Sequence, residues 1–198
     1  MEQSGARPPN ALLRAWVEKW KKARPAAVVH CAAINEIAPF RMVSEAQLLG
    51  SMMVNAFLPV FVVQALLQLG QTPLAGPLPV VLVGSGATFA AGSHSLAYVA
   101  SKHAELGVMR SMAKDLDPEV VTCLVNFGKL EDTAMSRHID RAQAHLRGTT
   151  VEAERERQRA GWVGGREIPV REAARFVVDL VLRTPTRSLN GSVFNYGC

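Results

Sequence analysis

The sequence predicts an α/β fold, a parallel sheet of about four strands covered by helices. Four runs read as strands: AAVVHCAAI (26–34), PVVLVG (79–84), VVTCLVNF (120–127) and GSVFNY (191–196). The first three are apolar at successive rather than alternate positions, which marks strands buried on both faces. Segments with helical spacing stand between the runs, and strands alternating with helices build parallel sheets. The 198 residues are 48% hydrophobic and 20% charged, enough for a single domain (1–198) around one sizeable core.

In chain order, NALLRAWVEKWKK (10–22) places Leu12, Leu13, Trp16, Val17 and Trp20 on one helical face. Pro25 marks the boundary before the first strand, and 35–43 reads as loop. Ser44 and Gln47 have the spacing of a capping box and open a long helix to about Leu69, with Pro59 as a kink. QTPLAGPLP (71–79) is turn chemistry, and the second strand, a glycine-rich loop and a helix over about 95–114 follow. DLDPE (115–119) breaks the chain before the third strand. Residues 128–168 are polar and mixed in charge, a helical excursion; a helix at 170–183 and the last strand close the chain.

Composition excludes several classes. Net charge is +5 and the pI about 9.4, but signs are mixed where charge is densest. EAERERQR (152–159) alternates sign as a solvated helix face does, and no basic, aromatic-interleaved stripe marks a nucleic-acid surface. Cys31, Cys123 and Cys198 are far apart, odd in number and without metal-ligand spacing, as reduced thiols of a cytoplasmic protein are. The polar start MEQSGARPPN has no signal-peptide core. No Asp, Glu, Lys or Arg occurs between Glu45 and Lys102, and residues 50–70 have the length of a bilayer span. Asn55, Gln64, Gln68 and Pro59, with no flanking basic cluster, favour instead a helix buried by the sheet on one side and by a partner subunit on another. His138 and His145 are seven apart with no third ligand in view, so they read as surface residues, and no metal site is expected. Glu131 and Asp132 are adjacent, so their side chains diverge and form no dyad.

The chemistry concentrates in VVLVGSGATFAAGSHSLAYVASKHAE (80–105). A dinucleotide fingerprint fails here: Phe89 stands where its third glycine belongs, and the acidic Glu105 lies in a helix rather than at a strand end. No phosphate-binding P-loop is present either. Tyr98 and Lys102, four apart, share a helix face. A free tyrosine, with a pKa near ~10, is a poor base at neutral pH, and a neighbouring ammonium favours the phenolate. Such a phenol can exchange a proton with an alcohol or carbonyl oxygen. Ser85, thirteen residues upstream at a strand end, is placed to hydrogen-bond the same oxygen. In parallel sheets ligands bind beyond the carboxyl ends of the strands, where Ser85 and the loop after Asn126 both lie.

The stretch GSGATFAAGSHSLAYVASK (84–102) resembles the serine–tyrosine–lysine segment of the short-chain dehydrogenase/reductase family, in its compact branch. VVHCAA (28–33) is similar to that family's Asn-Asn-Ala-Gly strand end, MMVNAFLPVFVVQAL (52–66) to its next helix, and GSVFNYG (191–197) to its closing strand. The resemblance runs from about residue 10 to the end. It implies a Rossmann-like fold and hydride transfer between NAD or NADP and a small carbonyl or alcohol. It further implies that Tyr98 is the general acid/base, that Lys102 lowers its pKa and holds the nicotinamide ribose, that Ser85 positions the substrate oxygen, and that Asn55 supports a water-linked proton relay. Thr133 matches the threonine that contacts the nicotinamide amide. Residues 129–168 correspond to the variable substrate lid. The helices at 45–69 and 96–114 correspond to a dimer interface, with Met52, Met53, Phe57, Phe61 and Val62 on the first.

Members of that family begin with a strand and the turn Thr-Gly-x-x-x-Gly-x-Gly, which holds the pyrophosphate at a helix N-terminus. This sequence has no such turn, so it reads as an N-terminally truncated Rossmann-like fold that keeps the reaction half. Weak NAD or NADP binding is the expectation. His30 and Cys31 replace both asparagines of the strand-end motif, Ala33 replaces its glycine, and NFGKLEDTAM (126–135) lacks the family's Pro-Gly step. Three functions stay open: an oxidoreductase completed by a partner or by an upstream start, a cofactor-independent enzyme of proton transfer, dehydration or cyclisation, and a non-catalytic subunit. The expected assembly is a homo-oligomer or a heteromer with a full-length relative, with neither nucleic acid nor membrane as partner.

Overall fold

The structure, a computed structural model, describes residues 15, 19, 24–70, 73, 76–183 and 186–198. The helical face expected over 10–22 lies outside the described residues, apart from helical positions 15 and 19. Four strands form one sheet in the order of the chain: β1 (Val28–His30), β2 (Leu78–Ser85), β3 (Val120–Phe127) and β4 (Val193–Tyr196). All three pairings are parallel. The expected fold class holds: a parallel α/β sheet whose connections carry helices.

The side-chain period of two sorts each strand between two cores. Leu78, Val80, Leu82, Val120 and Leu124 pack against Val63 and Leu66 of helix α1 (Glu45–Gln68) and against Met109 and Met112 of α2 (Leu96–Asp115). Val81, Val121, Cys123 and Val125 pack on the opposite face against Ala173, Val177 and Leu180 of α5 (Val170–Arg183). β2 and β3 pair over all eight residues and are buried almost throughout, as their unbroken apolar runs require. β1 departs from the expectation of a strand buried on both faces. It is an edge strand, only three residues long, and Val29 is 41% exposed.

α1 starts at the expected capping box: Ser44 Oγ accepts from the Gln47 N–H at 3.2 Å, and Gln47 Oε1 accepts from the Ser44 N–H at 2.9 Å. The helix is not uniform. Residues Met53–Phe57 form a π turn, closed by the Leu58 N–H on the Met53 carbonyl. Pro59 explains it: with no N–H, it cannot continue the ladder onto the carbonyl five residues back, that of Val54. His30 Nε2 lies 3.1 Å from that carbonyl and supplies the missing donor. α1 is long and apolar enough to cross a membrane, but Val63, Ala65 and Leu66 are part of the sheet's core.

The 128–168 excursion resolves into α3 (Ala134–Arg147), capped by Thr133, and α4 (Val151–Arg159), capped by Thr150. The expectation that 152–159 is a solvated face needs correction. Glu154 is fully buried, with Arg157 at 2.6 Å, Arg147 at 3.4 Å and Gln158 at 2.9 Å, and these partners hold its carboxyl down at about 2. Alternating sign supplies the counter-charges that let one carboxylate leave water.

The ends of β3 and β4 touch backbone to backbone. A Cβ on Gly128 would lie 2.0 Å from the Gly197 carbonyl oxygen, and neither main chain can retreat without breaking the Gly128 N–H bond to the Tyr196 carbonyl. Gly128→Ala is therefore expected to destabilise the fold by about 1–3 kcal/mol, read by urea unfolding.

Candidate active site at the carboxyl edge of the sheet

β2 ends at Ser85, and the chain enters a single 3-10 turn, Gly86–Thr88. Ser85 Oγ accepts from the Ala87 N–H at 3.3 Å, and Thr88 Oγ1 accepts from the Ser85 N–H at 3.4 Å while donating to Asn126 Oδ1 at 2.7 Å. Ser85 is thus fixed between β2 and the end of β3. Tyr98 lies in the first turn of α2 and Lys102 one turn on, 1% exposed. Lys102 Nζ is 5.8 Å from the centroid of the Tyr98 ring. It donates to the Val83 carbonyl and to Glu105 Oε2, both at 2.9 Å.

Ser85, Tyr98, Lys102 and Thr133 all line one cleft of about 510 Å³ at the carboxyl edge. Cys31 and Asn35, after β1, form part of its wall, as do Lys129, Gln158 and Trp162 of the 129–168 segment. Asn55 is not among the lining residues. It sits in the π turn, fully buried, and both its donors are used: Nδ2 donates to the Ile34 carbonyl at 2.9 Å and to Ser101 Oγ at 2.8 Å, while Oδ1 accepts from the Ile34 N–H at 2.8 Å. Ser101 Oγ donates in turn to the Tyr98 carbonyl at 2.8 Å. Asn55 therefore ties the segment after β1 to the turn of α2 that bears Tyr98. Thr133 spends its hydroxyl on the cap of α3, accepting from the Ser136 N–H at 3.0 Å and donating to Ser136 Oγ at 2.8 Å.

The family model of short chain dehydrogenases matches residues 10–144, more than half of the chain. This chain belongs to the short-chain dehydrogenase family. Solved structures agree in fold. A short chain dehydrogenase family protein from Francisella tularensis superposes with a TM-score of 0.81 at 19% identity, covering 93% of this chain and 75% of that one. A variant of actinorhodin polyketide ketoreductase, solved with NADPH, gives 0.83 at 20% identity over 93% and 72% of the two chains. Aldohexose dehydrogenase of Thermoplasma acidophilum, in ligand-free form, gives 0.77 at 20% identity over 93% and 72%. No curated protein matches the sequence.

Electrostatically, this member of the short-chain dehydrogenase family centres on Lys102. Burial pushes the Glu105 carboxyl up to about 7, while the charge and hydrogen bond of Lys102 draw it back. Burial, then the charge of Lys102, lowers His30. Burial raises the Cys31 thiol against the pull of the same ammonium. Sequence reasoning missed the buried pairing of Glu105 with Lys102, although their i, i+3 spacing placed the two side by side. It also missed Lys129, whose ammonium pairs with Asp140, lies 3.6 Å from Glu167 and sits 5.2 Å from the centre of the Trp162 ring. Arg155 joins the same two carboxylates, at 3.1 Å and 3.2 Å, so the 129–168 segment is held together by a neutral set of two cations and two anions. His138 and His145 are exposed, and no group of three or more His, Cys, Asp or Glu residues forms a metal-binding cluster among the described residues.

Proposed function

We propose that the chain is an oxidoreductase interconverting a small ketone or aldehyde and the corresponding alcohol, with Tyr98 as the group that exchanges a proton with the substrate oxygen. The observation that carries this is the meeting of Ser85, Tyr98 and Lys102 at one cleft on the carboxyl edge of a parallel sheet. In this reading Ser85 orients the substrate oxygen, Lys102 sets the field around the Tyr98 ring, and Asn55 is a positioning residue acting through Ser101. The segment 129–168 serves as substrate lid within the single domain, clamped to the loop before α2 by Gln143 Nε2 on the Ser93 carbonyl at 2.8 Å.

The residues fit the reacting end of a nicotinamide cofactor. An ammonium has three N–H donors, and two on Lys102 are engaged, leaving one for a ribose hydroxyl. Thr133 has only acceptor capacity left on its hydroxyl, so a contact from it to the amide would accept rather than donate. When bound, the cofactor supplies or removes hydride. The loops at this edge carry no glycine run to cradle a pyrophosphate, so titration of this 198-residue chain with NADPH or NADH is expected to give millimolar or weaker binding. A calorimetric titration checks this; micromolar binding would require another nucleotide cradle.

Association belongs to the same reading. Leu49, Met53, Phe57 and Phe61, spaced by four along α1, form an exposed apolar stripe, 61% to 36% exposed. A stripe of this kind is covered in solution by a second copy or a full-length relative. Light scattering at micromolar concentration is expected to show a dimer or larger species, and Phe57→Glu to shift it toward monomer. Free thiols at Cys31, Cys123 and Cys198 suit a reducing, cytoplasmic setting.

The deciding experiment follows nicotinamide absorbance with a panel of small ketones and aldehydes at millimolar NADPH or NADH. Consumption that requires a carbonyl supports the proposal. Substrate conversion that proceeds without nicotinamide would replace it with proton-transfer or dehydration chemistry at the same residues. No conversion with either would leave a binding subunit.

A further inference from the structure

The part of the cleft wall that follows β3 carries Leu130, Met135, Ile139 and Trp162. All four are half-buried. Met135 and Ile139 stand one turn apart on α3 and so share a face. The Trp162 ring is anchored by the Lys129 ammonium, 5.2 Å from its centre. The polar groups of this wall are already spent. Thr133 donates to Ser136 Oγ at 2.8 Å, and Ser136 donates to the Leu130 carbonyl at 2.7 Å. Gln158 Oε1 accepts from Lys129 at 3.0 Å, and its Nε2 donates to Glu154 at 2.9 Å. Of the side chains lining the cleft only Lys102 and Lys129 are charged, and each ammonium has a carboxylate, Glu105 for one and Asp140 for the other. A substrate carboxylate or phosphate would meet no free cation on this wall. A sugar hydroxyl would leave water there without gaining a hydroxyl donor.

We infer that Leu130, Met135, Ile139 and Trp162 form a specificity wall that takes the apolar substituent of a neutral ketone or aldehyde, and that polyols and charged carbonyl compounds are poor ligands. The inference rests on the oxidoreductase reading for the reacting carbonyl and narrows its substrates to hydrophobic ones. A cleft of about 510 Å³ has room for such a substituent beyond the carbonyl itself. Half-buried apolar side chains in a cleft stay in contact with water until a ligand covers them, and covering them favours binding in proportion to the apolar area removed from water.

The test is a ligand-observed NMR titration of the 198-residue chain, with and without millimolar NADP+, using cyclohexanones that differ only at carbon 4. Along the series from cyclohexanone to 4-propylcyclohexanone, each methylene is expected to tighten binding by about threefold. 4-Hydroxycyclohexanone and 4-oxocyclohexanecarboxylate are expected to bind no tighter than cyclohexanone. Tighter binding of either polar compound than of the propyl compound overturns the inference, as does binding of none of them in either condition. Met135→Lys places an unpaired ammonium on the wall. It is expected to tighten the carboxylate by about tenfold and to weaken the propyl compound. Affinities unchanged in that variant would put the ligands elsewhere and overturn the inference. Should it fail to fold, Trp162→Ala is expected to flatten the methylene series, and an unchanged series overturns the inference equally. Binding in the expected order with no nicotinamide consumption would count against the oxidoreductase reading alone. Turnover of cyclohexanone with no gain along the series would count against the specificity wall alone.

Discussion

Tyr98→Phe is expected to lower carbonyl reduction by about 10²–10⁴-fold, measured as NADPH consumption at millimolar cofactor, while leaving the fold intact. The substitution deletes one hydroxyl and keeps the ring that packs in the first turn of α2. Ser85 and Lys102 stay where β2 and the Val83 carbonyl hold them, so orientation survives and proton exchange is lost. The loss should fall on kcat with KM little changed, the pattern of an interaction made in the transition state. Equal kcat in variant and parent would remove Tyr98 from the chemistry. A change confined to KM would make it a binding residue.

Lys102→Met is expected to cost about 1–2 kcal/mol more stability at pH 8 than at pH 5, measured by urea unfolding, because it leaves the Glu105 carboxyl in the core without its ammonium. The pH dependence has a definite sign. Burial holds the Glu105 carboxyl at about 7 in the folded chain, above its ordinary value of 4.5. Its contribution to stability is therefore fully present below the unfolded value and is lost as pH rises through the folded one. Without Lys102 the folded value rises further, so the gap between variant and parent widens from pH 5 to pH 8. At pH 5 both carry a protonated Glu105, and the difference shrinks to packing. A gap independent of pH would show that Glu105 is not the stranded charge. Combining Lys102→Met with Glu105→Gln is expected to recover most of the lost stability.

The strands were legible because unbroken runs such as VVLV and VVTCLV leave no polar face for water. α1 was legible from its capping box. Its π turn was not: Pro59 announces a break in the ladder, but the donor that repairs it comes from His30, at the end of β1. At the site, Ser85, Tyr98 and Lys102 were legible because their relation is local, a strand end and one helical turn. Asn55 could be singled out, but its partners, Ile34 and Ser101, are set by how α1 crosses the end of β1 and α2. Glu105, Glu154 and the Lys129 set were illegible for a common reason. Charged residues in mixed-charge or amphipathic segments are solvated by default, and only the tertiary arrangement shows which of them have counter-charges close enough to leave water.

The all-parallel sheet has a kinetic consequence. None of its pairings can be made by a hairpin: residues 31–77, 86–119 and 128–192 separate successive strands. Each ladder must close a long loop before any contact rewards it, so the chain has a high contact order. Refolding from urea is therefore expected to be slow for a chain of this size. Until β4 pairs, the edge of β3 stands open to other chains, and yield on refolding should fall with protein concentration.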